Sequence, residues 1–149
     1  MAAKISFKST ITDNDIRQLA DNLRAIDAYE INVIAQLSPF EAIKRSVENS
    51  PNHCFSVFVN NQLLAIGGCS KTGNPWLLAT PAINRYNKSL TRHAKVFIAQ
   101  QLKHHPLLIN AISANNHATK RWLKHLGFTL SEPFTYNDGL IHVFSQKQI

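Results

Sequence analysis

The segment from Asn115 to Phe128, NNHATKRWLKHLGF, constrains the fold more than any other stretch of this 149-residue chain. Asparagines such as Asn115 and Asn116 accept the orphan N–H bonds of a helix start. Ala118, Trp122 and Leu126 recur every four residues with Leu123 beside them, which makes one apolar stripe. Lys120, Arg121, Lys124 and His125 fall on the other faces. Gly127 supplies the left-handed residue that ends a helix, and Phe128 can fold back on the last turn. The spacing predicts an amphipathic helix with a loop before it and a buried strand after it.

The remaining pattern supplies a sheet for that helix. Lys4 to Lys8 alternate as a short strand. Thr12 and Asp15 make a variant capping box ahead of one helical stripe, Ile16, Leu19, Ala20, Leu23 and Ile26. Ser38-Pro39 opens a second helix carrying Phe40, Ile43 and Val47, with proline at the first helical position. Cys54 to Val59 and Leu63 to Ile66 flank Asn60-Asn61, two residues that accept positive φ, so they predict a β-hairpin. Trp76 to Ala79 follows the Gly73-Asn74-Pro75 turn as a strand. Leu90, Ala94, Phe97, Ile98 and Leu102 mark a third helix stopped by Pro106, and Leu107 to Ile112 is a buried strand. Phe128–Leu130 and Leu140–Phe144 close the chain as strands. The order is β-α-α-β-β-β-α-β-α-β-β, an α/β chain of the α+β kind with a mixed sheet and helices on both faces.

Length and composition fit one folded domain over residues 1–149: hydrophobic residues are 44% and charged ones 17%. No run approaches the roughly eighteen apolar residues of a membrane span, and MAAKISFKST lacks the apolar core of a signal peptide. Cys54 and Cys69 have no metal-like spacing, so a reduced, cytoplasmic setting is expected. Charge is unevenly spread. The net charge is +7, and from Asn49 to Ser131 there is no acid but nine cations, Lys71, Arg85, Lys88, Arg92, Lys95, Lys103, Lys120, Arg121 and Lys124. That block points to an anionic partner, whether a phosphorylated cofactor, a nucleic acid or an acidic protein; a solvated basic face is the plainer alternative. The basic helices lack interleaved exposed aromatics, which argues against specific base reading. His104 and His105 diverge on a helix end and make no metal pair.

Asn116, Arg121-Trp122-Leu123-Lys124 and Leu126-Gly127-Phe128 resemble the C-terminal signature of the GNAT N-acetyltransferases. A narrower resemblance, to small GNAT-like proteins of short-tailed bacteriophages, covers nearly the whole chain. It adds Leu23-Arg24 with Asp27 and Glu30, Ser38-Pro39, Trp76-Leu77-Leu78 with Thr80, and Pro106-Leu107-Leu108 with Asn110. The resemblance implies a GNAT-like fold in which the strands at Trp76–Thr80 and Leu107–Ile112 splay apart around the pantetheine arm of acetyl-CoA. Backbone groups of Leu78, Ala79 and Thr80 would hold that arm and the oxyanion. Its pyrophosphate would sit on the helix starting near Asn87 to Leu90, beside Arg85, Lys88, Ser89 and Arg92. Asn116 would contact the arm, or simply cap its helix.

Two departures accompany the resemblance. The family loop reads Arg/Gln-x-x-Gly-x-Gly/Ala, yet Pro81 to Arg92 holds no glycine. Leu123 stands where many members carry the tyrosine that protonates the leaving thiolate. Arg24, Asp27 and Glu30 fall at i, i+3 and i+6; Glu30 or Asp27 would take the proton of an attacking ammonium, unless the three form a surface ion-pair cluster. Tyr29 and Tyr136 are candidates for the same pocket. The expected function is acetyl-CoA-dependent acylation of an amine acceptor by a phage-encoded enzyme in the infected cell's cytoplasm. The alternative is a catalytically silent phage protein, virion-associated or acting on a host protein. Non-specific nucleic-acid binding is a third expectation, and the assembly state stays open, a homodimer included.

Overall fold

The computed structural model describes residues 4–149; Met1–Ala3, part of the stretch read for a leader, lie outside them. The elements are β1 (Ile5–Lys8), α1 (Asp13–Asp21), α2 (Ala25–Glu30), α3 (Pro39–Glu48), β2 (Cys54–Val59), β3 (Gln62–Cys69), β4 (Pro75–Ala79), α4 (Asn87–His104), β5 (Leu107–Ser113), α5 (His117–His125), β6 (Thr129–Leu130), β7 (Phe134–Tyr136) and β8 (Gly139–Lys147). A π-helical turn, Ile31–Ala35, continues α2, and a 3-10 turn, Pro81–Tyr86, runs into α4.

Local chemistry sets most of the boundaries. Thr12 Oγ1 accepts from the Asp15 N–H at 3.1 Å, and Asp15 Oδ2 accepts from the Thr12 N–H at 3.0 Å, which starts α1. Ser38 caps α3, with Pro39 in its first turn. Asn60 and Asn61 turn the β2–β3 hairpin at φ 50° and 65°. Asn116 Oδ1 accepts from the Thr119 N–H at 3.3 Å to start α5. Gly127, at φ 101°, ends it, and the Phe128 N–H returns to the Leu123 carbonyl at 3.0 Å.

Two differences from the sequence pattern matter for the site. The stripe Ile16–Ile26 is two helices, because Arg24 is extended (φ −56°, ψ 144°) and its N–H donates to the Ala79 carbonyl at 2.8 Å. β7 is an added strand, turned into β8 at Asn137-Asp138 with φ 48° and 65°.

The strands form two antiparallel sheets, β1-β2-β3-β4 and β5-β8-β6, with β7 also on β8. The parallel relation implied by a β-α-β succession is that of β4 to β5, which share no ladder. Ile109 N–H donates to the Gly73 carbonyl at 3.0 Å, and Asn110 Nδ2 donates to the Pro75 carbonyl at 2.9 Å. The contacts advance in one direction on both strands, so the strands run parallel where they begin. Helices α1 and α3 cover one face of the first sheet through Ile16, Leu19 and Ile43 on Leu63 and Ile66. α4 lies on the other face, where Leu90 meets Val57, Leu64 and Ala79. α4 and α5 share a further core with Leu108, Ile112 and Phe144 of the second sheet and with Phe128 just before β6. Burying each such Leu, Ile or Phe contributes about 1.5–3 kcal/mol.

Candidate functional site

A cleft of ≈ 630 Å³ lies between the facing edges of β4 and β5. Residues from α3 and from α4 both line it, so it opens on both faces of the splayed strands. Its chemistry follows from which edge groups the fold leaves free. In the β3–β4 register Thr80 donates to Leu64 at 2.8 Å and Leu78 stands opposite Ile66. Antiparallel pairs alternate, so the backbone groups of Thr80 and Leu78 point into the sheet and those of Pro75, Leu77 and Ala79 point into the cleft. Pro75 has no N–H, and its carbonyl accepts from Asn110. The Ala79 N–H donates to Asp27 Oδ2 at 2.9 Å and its carbonyl accepts from Arg24. Among the described residues, Leu77 N–H and C=O have no loop, cap or side-chain partner.

The facing edge of β5 is closed in a similar way. The Ile109 N–H goes to Gly73, and its carbonyl accepts from Asn74 Nδ2 at 2.8 Å. The Ala111 N–H bonds to the Asn110 side chain at 2.8 Å. The Ser113 carbonyl accepts from the Asn116 N–H at 3.1 Å.

α2 spans the open ends of both strands. Asp27, 2% exposed, takes Arg24 Nε at 2.9 Å and Arg24 Nη2 at 3.0 Å, besides the Ala79 N–H. One turn later, Glu30 Oε1 accepts from Asn116 Nδ2 at 2.6 Å. Spacing of three residues puts both carboxylates on one helix face, where Asp27 holds β4 and Glu30 holds the β5–α5 junction. Glu30 differs electrically from an ordinary glutamate. Burial pushes its carboxyl up to about 7; the Asn116 hydrogen bond lowers it, Asp27 adds to the rise, and Arg24 and the Ser113 backbone oppose it.

At the other end of the cleft, no side chain caps the N-terminus of α4. Arg85, Lys88 and Arg92 surround that end, exposed and without an acidic partner among the described residues. Asn84 and Asn87 line the cleft beside that helix start. The Thr80 hydroxyl is buried without a hydrogen-bond partner among the described residues. The cleft thus joins a strand edge with one free residue, a carboxyl near neutrality and a basic helix start.

The sequence-predicted residues separate into three groups. Glu30 and Asn116 meet in the cleft, whereas Asp27 is engaged in a buried ion pair, not a surface one. Arg85, Lys88, Ser89 and Arg92 gather at the α4 end. Leu78 and Thr80 turn their N–H groups into the first sheet, and Ala79 is occupied by Asp27. Leu77, the free position, was missed by one residue; the proline at 75 signals it, since an edge position tolerates a missing N–H and 77 shares its direction. Arg121 of α5 also lines the cleft. Tyr29 lies in a separate shallow hollow with Asn137 and Asp138, and Tyr136 is exposed on β7. Leu123 is core, 7% exposed.

No protein-family model matches the sequence, and no curated protein matches it. Solved structures do match. The chain is similar to a GNAT-family acetyltransferase from Bacillus anthracis (TM-score 0.64, 11% identity, 99% of this chain and 98% of that one). It is similar to the ribosomal-protein-S18-alanine N-acetyltransferase from Escherichia coli (0.67, 14%, 97% and 94%). It is also similar to a ribosomal L7/L12 alpha-N-protein acetyltransferase in complex with coenzyme A (0.60, 8%, 98% and 95%). Along nearly its whole length, the chain has the fold of the GNAT acetyltransferases.

Proposed function

We propose that the chain is an acetyl-CoA-dependent N-acyltransferase that works in the β4–β5 cleft with Glu30 as its proton acceptor. The observation that carries this reading is the free Leu77 edge sharing one cleft with a half-buried glutamate whose pKa is about 7. Support also comes from the N-acetyltransferases of the same fold, one of them in complex with coenzyme A. When bound, acetyl-CoA supplies a thioester carbonyl to an attacking amine.

The residues of this chain suit that chemistry as follows. Glu30, partly ionised near neutral pH, takes the proton of the ammonium directly or through a water. Leu77 N–H is the free donor on β4 for a carbonyl oxygen gaining negative charge, the role expected of Leu78–Thr80. Arg85, Lys88 and Arg92, with the uncapped N–H groups at Ser89 and its neighbours, suit a pyrophosphate. Asn84 and Asn87 bring amide donors where the family uses bare backbone. Leu123 offers no acid, so this chain would supply no proton from that position to a departing thiolate. The resemblance of its residue pattern to small phage proteins is the ground on which we propose a phage origin and action in the infected cell's cytoplasm.

A second reading, a catalytically silent phage protein, is favoured by Leu123 lying in the core and by the glycine-free loop. Titration calorimetry with acetyl-CoA and with CoA at moderate salt separates the two. Binding is expected, and R85A/K88A should weaken it by about tenfold, the sum of two helix-end charges. Absence of heat at millimolar cofactor would leave the silent reading standing.

A further inference from the structure

We propose that the outer face of α4 and α5 is a docking surface for the phosphate backbone of nucleic acid, read without regard to sequence. On α4, Lys88, Arg92, Lys95 and Lys103 are all exposed and recur at helical spacing. From Lys88 to Lys103 they run over fifteen residue steps, or about 22 Å of helix axis. α5 lies beside α4, joined by the bond from Trp122 Nε1 to Thr91 Oγ1 at 2.8 Å and by the shared core. Its exposed stripe adds Arg121 and Lys124, with His117 and His125 around them. Among the described residues, none of these cations meets an acid; the two ion pairs, Arg24–Asp27 and Lys44–Asp13, are elsewhere.

The sorting of charge is structural as well as sequential. Seven of the nine acids lie between Asp13 and Glu48, the segment that contains α1, α2 and α3. α1 and α3 pack on the face of the first sheet opposite α4. The fold thus converts an acid-free run of sequence into one basic side of the molecule.

What covers this side follows from what it lacks. A protein partner is anchored by a buried aromatic or aliphatic cluster. Val96, 57% exposed, is the one large apolar side chain exposed on the two helices. A membrane needs an apolar face as well. Point charges along a rod, with neither an anchor nor an exposed aromatic to stack on bases, match a lattice of phosphates. The surface extends beyond the cleft to Lys95, Lys103 and Lys124, so it stands independently of the acyltransferase reading.

The test is fluorescence anisotropy of the full chain with a labelled DNA duplex of about 20 base pairs. Six phosphate contacts predict a log–log salt slope near −5 and a loss of about 10³-fold in affinity between about 50 and 200 mM salt. K95Q/K103Q/K124Q should bring the slope to about −3 while its calorimetric acetyl-CoA binding stays unchanged. R17Q/K44Q, on the opposite side, should leave DNA binding as it was. The proposal is overturned by absence of binding at about 50 mM salt, or by an unchanged slope in the triple variant. It is overturned too if poly-glutamate competes as well as unlabelled duplex, which would assign the face to acidic proteins.

Discussion

Glu30 is a carboxylate held where charge is disfavoured, with a single side-chain donor, Asn116, to support it. Its raised pKa has two consequences that can be measured separately. Acylation of an amine should rise with pH through about 7 as the carboxyl ionises. E30Q keeps an acceptor for Asn116 but removes the base, so its rate should fall by about 10²–10⁴-fold with acetyl-CoA binding retained. For stability the sign is the reverse. Folding raises this pKa above 4.5, so the folded chain binds the proton more tightly. That stabilisation is complete below about 4.5 and is lost as pH rises through about 7. Thermal melts of E30Q at pH 5 and pH 8 should lack this component. Asp27 is chemically alike but serves differently, since three donors engage it in the interior.

Among the elements, those fixed by their own residues were legible. α5, α3 and the Asn60-Asn61 hairpin follow from caps and turn residues within a few positions of each other. The break between α1 and α2 was not legible, because the group that draws Arg24 out of the helix is Ala79, distant in sequence. β7 was legible in principle in Asn137-Asp138-Gly139, a hairpin signature. Its residues Phe134 and Tyr136 are exposed, so no inward-facing apolar alternation drew attention to it. The start of α5 joins stability to chemistry. N116A removes a cap worth about 1 kcal/mol and the hydrogen bond that holds the Glu30 pKa down. Its pH–rate midpoint should therefore lie above that of the unaltered chain. The seating of α4 on the first sheet carries a second titration. His93 stacks on Phe7 at 3.9 Å with Phe55 and Phe97 around it, and burial lowers its pKa from 6.5. The unfolded chain takes this proton first, so the contribution is whole above about 6.5 and is lost as pH falls towards the folded pKa. Urea titrations at pH 5 and pH 7 should find H93F less sensitive to acid than the unaltered chain. Glu30 and His93 act in opposite directions over that range, which is why single variants are needed.

For the molecule as a whole, the sequence carried the architecture and the basic side but not which backbone groups face the cleft unpaired. Which strand amides are free depends on register, and register is settled by pairing across the sheet. The pairing puts Leu77 on the open edge and hands Ala79 to α2. β4 and β5 are pinned together near Asn74 and Asn110 and braced at their far ends by α2. That arrangement makes two amides two residues apart report different events. In deuterated water the Ala79 amide, bonded to a buried carboxylate, should exchange slowly whether or not a cofactor is present. The Leu77 amide should exchange quickly in the free protein and slow on addition of acetyl-CoA. Equal protection of both before addition would mean that the wedge between the sheets is shut at rest, and that the brace must swing before any thioester can enter.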